Sequence, residues 1–429
     1  MSTEAPIQQK NPSDIVPASK GLLINRNFAL LAIGQAISNM GDFVYSTTLL
    51  VWVFVLTHSA AAVSGVLIAQ YAPVFLLGPL AGVFVDRWNR RRTMITADLV
   101  RAVVALLPLL APLPLRLPAI YSSVFLLSAF SRFFMPARAG MQQVIVPAKQ
   151  QGQAASISQA TFALAIIVGP ALASPLYFVV GPVIAVLINA VSFVISALCL
   201  RAIRASKELL QPRFAEAATT AVPESAIGAV LREMLVGFRF VAKTRVLLMV
   251  VILALIAMLG AGAINALDII FVSRNLHVSA SLYGPLAAVG GAGTLIGAIL
   301  AGIVISRVQP RYMLTGSVFL LGVGLVIYAF QSWYLLALIL AFIMSIPQGG
   351  IDVGFTPLLL GATPNAMIGR VQSVIETSMF ATSLLSVALA GYFGQFVPVS
   401  IIFAIGGALI ALSGVFGWFS LPGEAAAQP

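Results

Sequence analysis

The stretch GVFVDRWNRRR, residues 82–92, lies between two long apolar segments of the chain. It places one aspartate and four arginines within seven positions, although only 9% of the 429 residues are charged. Each flanking segment has about 20 predominantly apolar residues, which is enough to cross the hydrocarbon core of a bilayer as a helix. The stretch is therefore predicted to be a short polar loop between two membrane-spanning helices.

Composition extends this interpretation to the whole chain. Hydrophobic residues make up 60% of the sequence and the mean hydropathy is +1.03, whereas soluble domains contain about 45–50% apolar residues. The pattern predicts an all-α integral membrane protein with twelve transmembrane helices. They are predicted at residues 28–56, 60–85, 94–112, 118–137, 154–179, 182–201, 246–272, 280–305, 311–330, 333–356, 371–396 and 399–420.

One long polar segment, residues 202–245, separates the sixth predicted helix from the seventh. It divides the chain into two six-helix bundles at 27–201 and 246–421. Within this linker, apolar residues recur at helical spacing opposite basic ones, which predicts an amphipathic helix on the membrane surface. Residues 1–26 and 422–429 are predicted to be tails on one side of the membrane, and the first of these lacks the apolar core of a signal peptide.

Lysine and arginine are distributed unequally between the two sides of the predicted membrane protein. Twenty of the 24 fall on the side of the N-terminus and two on the opposite side. The positive-inside rule then predicts a multi-pass protein of the plasma (inner) membrane with both termini in the cytoplasm. Because this asymmetry accounts for the net charge of +11, the basic residues do not indicate a nucleic-acid partner.

The two halves contain an internal repeat. The loop motif that begins at Gly82 recurs from Gly302 at an offset of 220, and FMP at 134–136 recurs as FTP at 355–357 at an offset of 221. A third set, beginning at Pro147, recurs from Pro364 in the same order. Internal repeats are frequent in transporters, so the pattern predicts parallel repeats with a binding site between them.

The same motifs resemble those of the major facilitator superfamily. The loop has the superfamily's glycine, three residues, Asp-Arg and a basic cluster, with Asn89 where glycine is usual. FMPARAGMQQVIVP at 134–147 and GRVQS at 369–373 resemble the drug:proton antiporter branch that includes macrolide-efflux proteins. GPALAS at 169–174 is similar to a glycine-rich exporter signature, with other small residues at most of its glycine positions. The resemblance covers all twelve helices and implies the major facilitator fold.

This resemblance implies that the charged loop latches the two halves together at the cytoplasmic face in the outward-open state. Asp86 is expected at the N-terminus of the eleventh helix, where the helix dipole favours an anion. The arginines are expected to pair with carboxylates near cytoplasmic helix ends, with Asp98, Asp352 and Glu376 as candidates. A basic cluster that only fixes topology is the alternative, and it leaves Asp86 unexplained. The predicted gate residues are Gly82, Asp86, Arg87, Arg90, Arg91, Arg132 and Glu376.

Ionisable residues inside the spans indicate function, because burying an ion in hydrocarbon costs at least about 2.5 kcal/mol. Asp42 lies near the middle of the first helix, and Gln35 and Asn39 precede it on the same helical face. Removal from water favours the neutral form of a carboxyl group, so Asp42 is predicted to bind and release a proton. The alternative is a structural aspartate, hydrogen-bonded by Asn39 and Ser46 or paired with an arginine.

Other side chains within the spans have two interpretations each. Asp268 is a second candidate for proton coupling, or an aspartate near the outer surface. Arg132 is a gate residue, or an arginine that extends toward the interface, while Arg101 forms a same-face pair with Asp98. Gly169 and Pro170 are a hinge, or only a bend required for packing. The predicted substrate cavity consists of Gln35, Asn39, Tyr45, Phe162 and Asn265.

Enzyme motifs are absent, since the chain has no HExxH, GxSxG, GxxxxGK or CxxC sequence. We therefore predict no enzyme activity, no cofactor and no metal site. The favoured function is a proton-coupled exporter of small amphipathic or cationic molecules that works by alternating access, as a monomer whose partners are its substrate, protons and the lipid bilayer. The alternatives are a siderophore or lipid transporter on the same fold, and a non-transporting receptor or scaffold.

Overall fold

The computed structural model describes residues 24–85, 88–204 and 226–421. Within these ranges the chain forms thirteen helices of 16 or more residues and no strand. The helices are α1 Arg26–Thr57, α2 Ala60–Val85, α3 Arg90–Ala105, α4 Arg116–Ile145, α5 Gln151–Val180, α6 Pro182–Ala202, α7 Ala226–Lys243, α8 Arg245–Arg274, α9 Tyr283–Val304, α10 Pro310–Ala329, α11 Tyr334–Gly361, α12 Ile368–Phe393 and α13 Val399–Ser420.

The predicted number of spans is confirmed. In the described part of the chain twelve helical segments are long and apolar enough to cross a membrane, and they include every helix named above except α7. Helices α1 to α6 pack mainly against one another, as do α8 to α13. The two bundles meet chiefly where α2 contacts α12 and α5 contacts α9.

Several helix ends differ from the prediction. Helix α4 was expected to end at residue 137 but continues to Ile145 despite Pro136. Ala137, Met141 and Ile145 follow at four-residue spacing and are all buried in one apolar cluster. Their packing offsets the hydrogen bond that proline removes. At the start of α3, the Asn89 side chain accepts a hydrogen bond from the Arg92 backbone N–H at 3.0 Å. Asparagine caps the helix there.

Glycines allow helices to approach closely in the second bundle. A Cβ atom at Gly297 of α9 would collide with the backbone oxygen of Ile346 on α11. From α11, a Cβ atom at Gly349 would collide in turn with the backbone of Ala298. Small residues at helix contacts are the usual means of tight packing in membranes, because the backbones themselves come into van der Waals contact.

The linker helix α7 packs against the start of α12. A Cβ atom at Gly237 would lie 2.9 Å from the backbone oxygen of Arg370, and Val241 is buried in an apolar cluster with residues of α12. The Arg370 guanidinium lies 3.6 Å from the Glu233 carboxylate. Leu235 and Phe238 are exposed. Only part of the predicted apolar face therefore contacts the protein.

Candidate functional site

The two faces of the bundle are closed to different degrees. We call the face at which α1 begins the basic face, and the face that carries the α1–α2 turn the opposite face. At the opposite face, a Cβ atom at Gly284 of α9 would collide with the Pro170 oxygen of α5, and one at Gly391 of α12 would lie 2.7 Å from Ser64 of α2. The Arg274 guanidinium donates a hydrogen bond of 3.0 Å to the His58 backbone oxygen. The bundles are thus in tight contact at the opposite face.

A cavity of about 430 Å³, which we call the central cavity, lies on the inner side of this contact. It is formed almost entirely by the first bundle, and Phe380 of α12 is the only residue of the second bundle in its described lining. A second cavity, of about 320 Å³, adjoins it. The two share Val74, Arg132, Met135 and Phe380, and the second continues to Gly369 at the start of α12 on the basic face. The central cavity therefore communicates toward the basic face.

Besides the gate residue Arg132, the structure brings five residues predicted for the substrate cavity or proton coupling to the central cavity. Gln35, Asn39, Asp42 and Tyr45 line it from α1, and Phe162 lines it from α5. The first three share a helical face because they are spaced by four and three residues. The site is consequently located inside the first bundle, next to the junction between the bundles, rather than being contributed equally by both halves.

Asp42 lacks the local hydrogen bonds that the structural alternative assigned to it. The Ser46 hydroxyl donates instead to the Phe43 backbone oxygen at 3.3 Å. The Asn39 side-chain nitrogen is buried with no hydrogen-bond partner in the described part of the chain. Asn189 of α6 and Arg101 of α3 are the neighbours that interact most with the Asp42 carboxylate.

Arg101 is a cavity residue to which sequence reasoning gave no part in the site. Its guanidinium forms an ion pair with Asp98, and both side chains are buried. It also donates to the Ser131 hydroxyl at 3.2 Å and lies 4.5 Å and 4.3 Å from the ring centroids of Phe134 and Phe193. The predicted same-face pair with Asp98 is confirmed. The expectation that Asp98 serves the cytoplasmic latch is wrong, because its carboxylate is enclosed within the first bundle.

Asn265 and Asp268 lie on α8, outside the described lining of both cavities. Asn265 is exposed and Asp268 is half-buried. The Asp268 carboxylate interacts electrostatically with Tyr283 and Tyr328 of the second bundle. The structure therefore separates these two residues from the five that meet around Asp42.

Two predicted gate residues face each other across the bundles. Arg132 of α4 and Glu376 of α12 line the second cavity, with Gln372 donating to the Glu376 carboxylate at 2.9 Å. The Arg132 and Glu376 charges interact, although no ion pair within 4.0 Å joins them among the described residues.

The other gate residues are only partly described. Arg90 donates to the Gly140 backbone oxygen at 3.3 Å, and Arg91 donates to the backbone oxygens of Leu200 and Arg201. In this structure, which is open on the basic face, both arginines bind backbone carbonyl groups of the first bundle, and their pairing with carboxylates in the outward-open state stays a prediction. Gly82 falls within α2, but its surroundings lie outside the described residues, as do Asp86 and Arg87.

The predicted hinge lies where three helices meet. Gly169 and Pro170 are buried in α5. A Cβ atom at Gly169 would collide with Phe43 of α1, and the Pro170 backbone oxygen faces Gly284 of α9. The residues thus join the first bundle to the opposite-face contact, and their role as a hinge stays a prediction.

Twelve spans in two packed bundles, with a cavity that communicates with one face, are typical of a membrane transporter. A family model described as "Transmembrane secretion effector" matches residues 20–427. The chain belongs to this family of major facilitator superfamily transporters. The resemblance to macrolide-efflux proteins is confirmed, and the protein is a transporter rather than an enzyme.

Similar proteins agree with this assignment. The chain is 25% identical to macrolide efflux protein A of Streptococcus pyogenes, over 88% of this chain and 91% of that protein. It is 26% identical to the multidrug efflux pump Tap of Mycolicibacterium fortuitum, over 79% and 82%, and 23% identical to the uncharacterized MFS-type transporter YkuC of Bacillus subtilis, over 93% of each.

Solved structures show the same fold. A bacterial homologue of the iron transporter ferroportin, in an inward-facing state, matches with a TM-score of 0.72 at 14% identity, over 94% of this chain and 100% of that chain. A peptide transporter POT in complex with sulfate matches with a TM-score of 0.74 at 12% identity, over 95% and 96%. At these identities the likeness concerns the fold alone.

Proposed function

We propose that this transporter is a proton-coupled exporter of small amphipathic molecules, working by alternating access across the plasma (inner) membrane. The observation that carries the proposal is the position of Asp42, which is the only carboxylate in the described lining of the central cavity. A carboxyl group that reaches both a substrate and a path for protons can exchange one for the other.

The ion pair next to Asp42 supports this role. Asp98 forms an ion pair with Arg101, so the Arg101 charge is largely compensated by a carboxylate other than Asp42. An ionised Asp42 then shares the charge of Arg101 with Asp98 in a partly apolar cavity, and an ion that is only partly compensated is costly unless it can take up a proton. Proton uptake and release at Asp42 therefore provide the coupling step. Asp268, in the second bundle, is the alternative coupling group.

The tight contact at the opposite face supports the alternating-access part of the proposed mechanism. With both termini in the cytoplasm, as the distribution of basic residues predicts, the cavity opens to the cytoplasm and can load substrate there. The predicted gate of Gly82, Asp86, Arg87, Arg90, Arg91, Arg132 and Glu376 then closes this side while the α5–α9 contact separates. In this cycle Arg132 and Glu376 approach each other as the cytoplasmic side closes.

The cavity wall supports an amphipathic substrate. The Phe43 and Phe162 rings are 5.6 Å apart in an edge-to-face arrangement, and the Tyr71 and Phe380 rings are 6.0 Å apart across the two bundles. Cavities of this size with apolar walls and a few polar groups bind small organic ligands. The names of the relatives, a macrolide efflux protein and a multidrug efflux pump, are consistent with this class of substrate.

Inverted membrane vesicles with an imposed proton gradient and a fluorescent pH indicator test the proposal, using erythromycin, ethidium and 2-naphthoic acid as probes. We expect a probe to release protons from vesicles that contain the transporter. Asp42→Asn should abolish this release but retain downhill exchange of the probe, because the neutral amide cannot carry a proton. Glu233→Gln, which removes an exposed carboxylate of the linker helix outside the described lining of both cavities, is the matched control. Normal proton release by Asp42→Asn would refute the assignment, and its loss in Asp268→Asn instead would move the coupling to α8.

A further inference from the structure

The central cavity contains more positive charge than the proposed coupling requires. Three arginines line it, namely Arg101, Arg132 and Arg138, and Asp42 is the only carboxylate among its described lining residues. Arg101 is neutralised by Asp98 and enclosed by two aromatic rings. The remaining two arginines come from α4 and have no such partner among the described residues.

Arg132 and Arg138 are unpaired within the part of the chain that the structure describes. Neither guanidinium has a carboxylate oxygen within 4.0 Å, and the described hydrogen bonds involve neither side chain. The Nε atom of Arg132 is buried with no hydrogen-bond partner among the described residues. Glu376 acts on Arg132 only from beyond ion-pair distance. The cavity thus contains guanidinium donors that no described protein acceptor satisfies.

Charge balance indicates the kind of ligand that the cavity favours. Because Asp98 offsets Arg101, the lining retains one formal positive charge when Asp42 is ionised and two when Asp42 is protonated. Arg132 and Arg138 are half-buried, and a cation that loses part of its contact with water without gaining a partner is disfavoured. A ligand with one acidic group restores neutrality with Asp42 ionised. A cationic ligand would instead add to the excess.

We propose that the transported molecule is an amphipathic acid whose anionic group binds Arg132 and Arg138. Guanidinium groups bind carboxylates, phosphates and sulfonates through paired charge-assisted hydrogen bonds, which gives both affinity and orientation. The apolar part of the molecule packs against Phe43, Phe162 and Tyr71, which line the same cavity. This assignment rests on the proposed transport function and narrows its substrate class from amphipathic molecules in general to acids.

The acid-binding arginines and the proposed coupling carboxyl group are on different helices, since Asp42 is on α1 and both arginines are on α4. Arg138 lies six residues from Arg132 along α4, or about 9 Å toward the basic face. An incoming acid therefore meets Arg138 before Arg132.

Binding to the purified full-length transporter in phosphatidylcholine nanodiscs tests the proposal with three matched probes: 2-naphthoic acid, its uncharged amide and 2-naphthylmethylamine. We expect the acid to bind most tightly. Arg132→Gln and Arg138→Gln should each weaken acid binding by about tenfold or more, as the loss of a charge-assisted hydrogen bond predicts, and leave amide binding within about twofold on the same scale. Arg116→Gln, at the other end of α4 and outside the cavity, is the matched control and should leave all three affinities unchanged.

Retained binding of the amide shows that each variant is folded. Tighter binding of the amine than of the acid in the wild-type protein overturns the proposal, as does equal weakening of acid and amide in both variants. Loss of acid binding when phosphatidylglycerol is added to the nanodiscs would assign the arginines to a lipid headgroup and overturn the proposal as well.

If vesicles export the amine with proton release but not the acid, this inference fails while the proposed function stands. If the acid binds as expected but vesicles transport none of the probes, the proposed function fails while the acid-binding site stands.

Discussion

A single methyl group at the opposite-face contact should change which state the transporter occupies. Gly284 is the second residue of α9 and is buried against α5. A Cβ atom there would collide with the Pro170 backbone oxygen and lie 2.8 Å from the Ser174 hydroxyl. The carbonyl cannot rotate away as a flexible side chain could, so α5 and α9 must separate. Overpacking of this kind costs about 1–3 kcal/mol, which corresponds to a change of about 5- to 150-fold in a two-state equilibrium.

Because the strain exists only while the opposite face is closed, Gly284→Ala should favour the state that is open there. The assay is the labelling of one cavity cysteine, Ser46→Cys in a Cys199→Ser background, by a membrane-impermeant maleimide applied from either side. We expect the labelling rate from the opposite face to rise by about fivefold or more. Gly302→Ala is the matched control on the same helix, since no atom lies within 4 Å of a Cβ there. Equal labelling of the two folded variants would refute the reasoning.

Two further predictions concern polar contacts within the first bundle. Asp98→Asn leaves the buried Arg101 charge unpaired, so we expect the free energy of unfolding to fall by about 3–5 kcal/mol, with most of it restored by adding Arg101→Met. Equal thermal unfolding midpoints for the single and double variants in detergent would contradict this. Tyr45→Phe removes a hydroxyl that contacts Ser123 at 2.7 Å and Ala105 at 3.1 Å. This substitution should lower the free energy of unfolding by about 1 kcal/mol and preserve transport in vesicles. Unchanged stability together with lost transport would show instead that the hydroxyl acts in transport.

Much of the candidate site could be predicted from local spacing. Gln35, Asn39 and Asp42 reach one cavity because intervals of four and three residues return to the same side of a helix, whatever the helix packs against. The three-residue spacing of Asp98 and Arg101 likewise predicted that these two side chains form a pair. Asn265, by contrast, is polar and close to Asp268 in the sequence but lies outside the described lining of both cavities. Helical spacing shows which residues share a face but does not show where the face points.

The sequence by itself determined the number and path of the spans, since apolar length is measured along the chain and the bilayer requires about 20 such residues for each crossing. The tertiary structure decided how charge is distributed in the cavity. Arg101, Arg132 and Arg138 look alike in the sequence, but only the first has a carboxylate partner at ion-pair distance among the described residues. Packing also extended α4 beyond Pro136, through the buried side chains of Met141 and Ile145. Both outcomes depend on distances between helices that are far apart in the chain, and local periodicity carries no information about those distances.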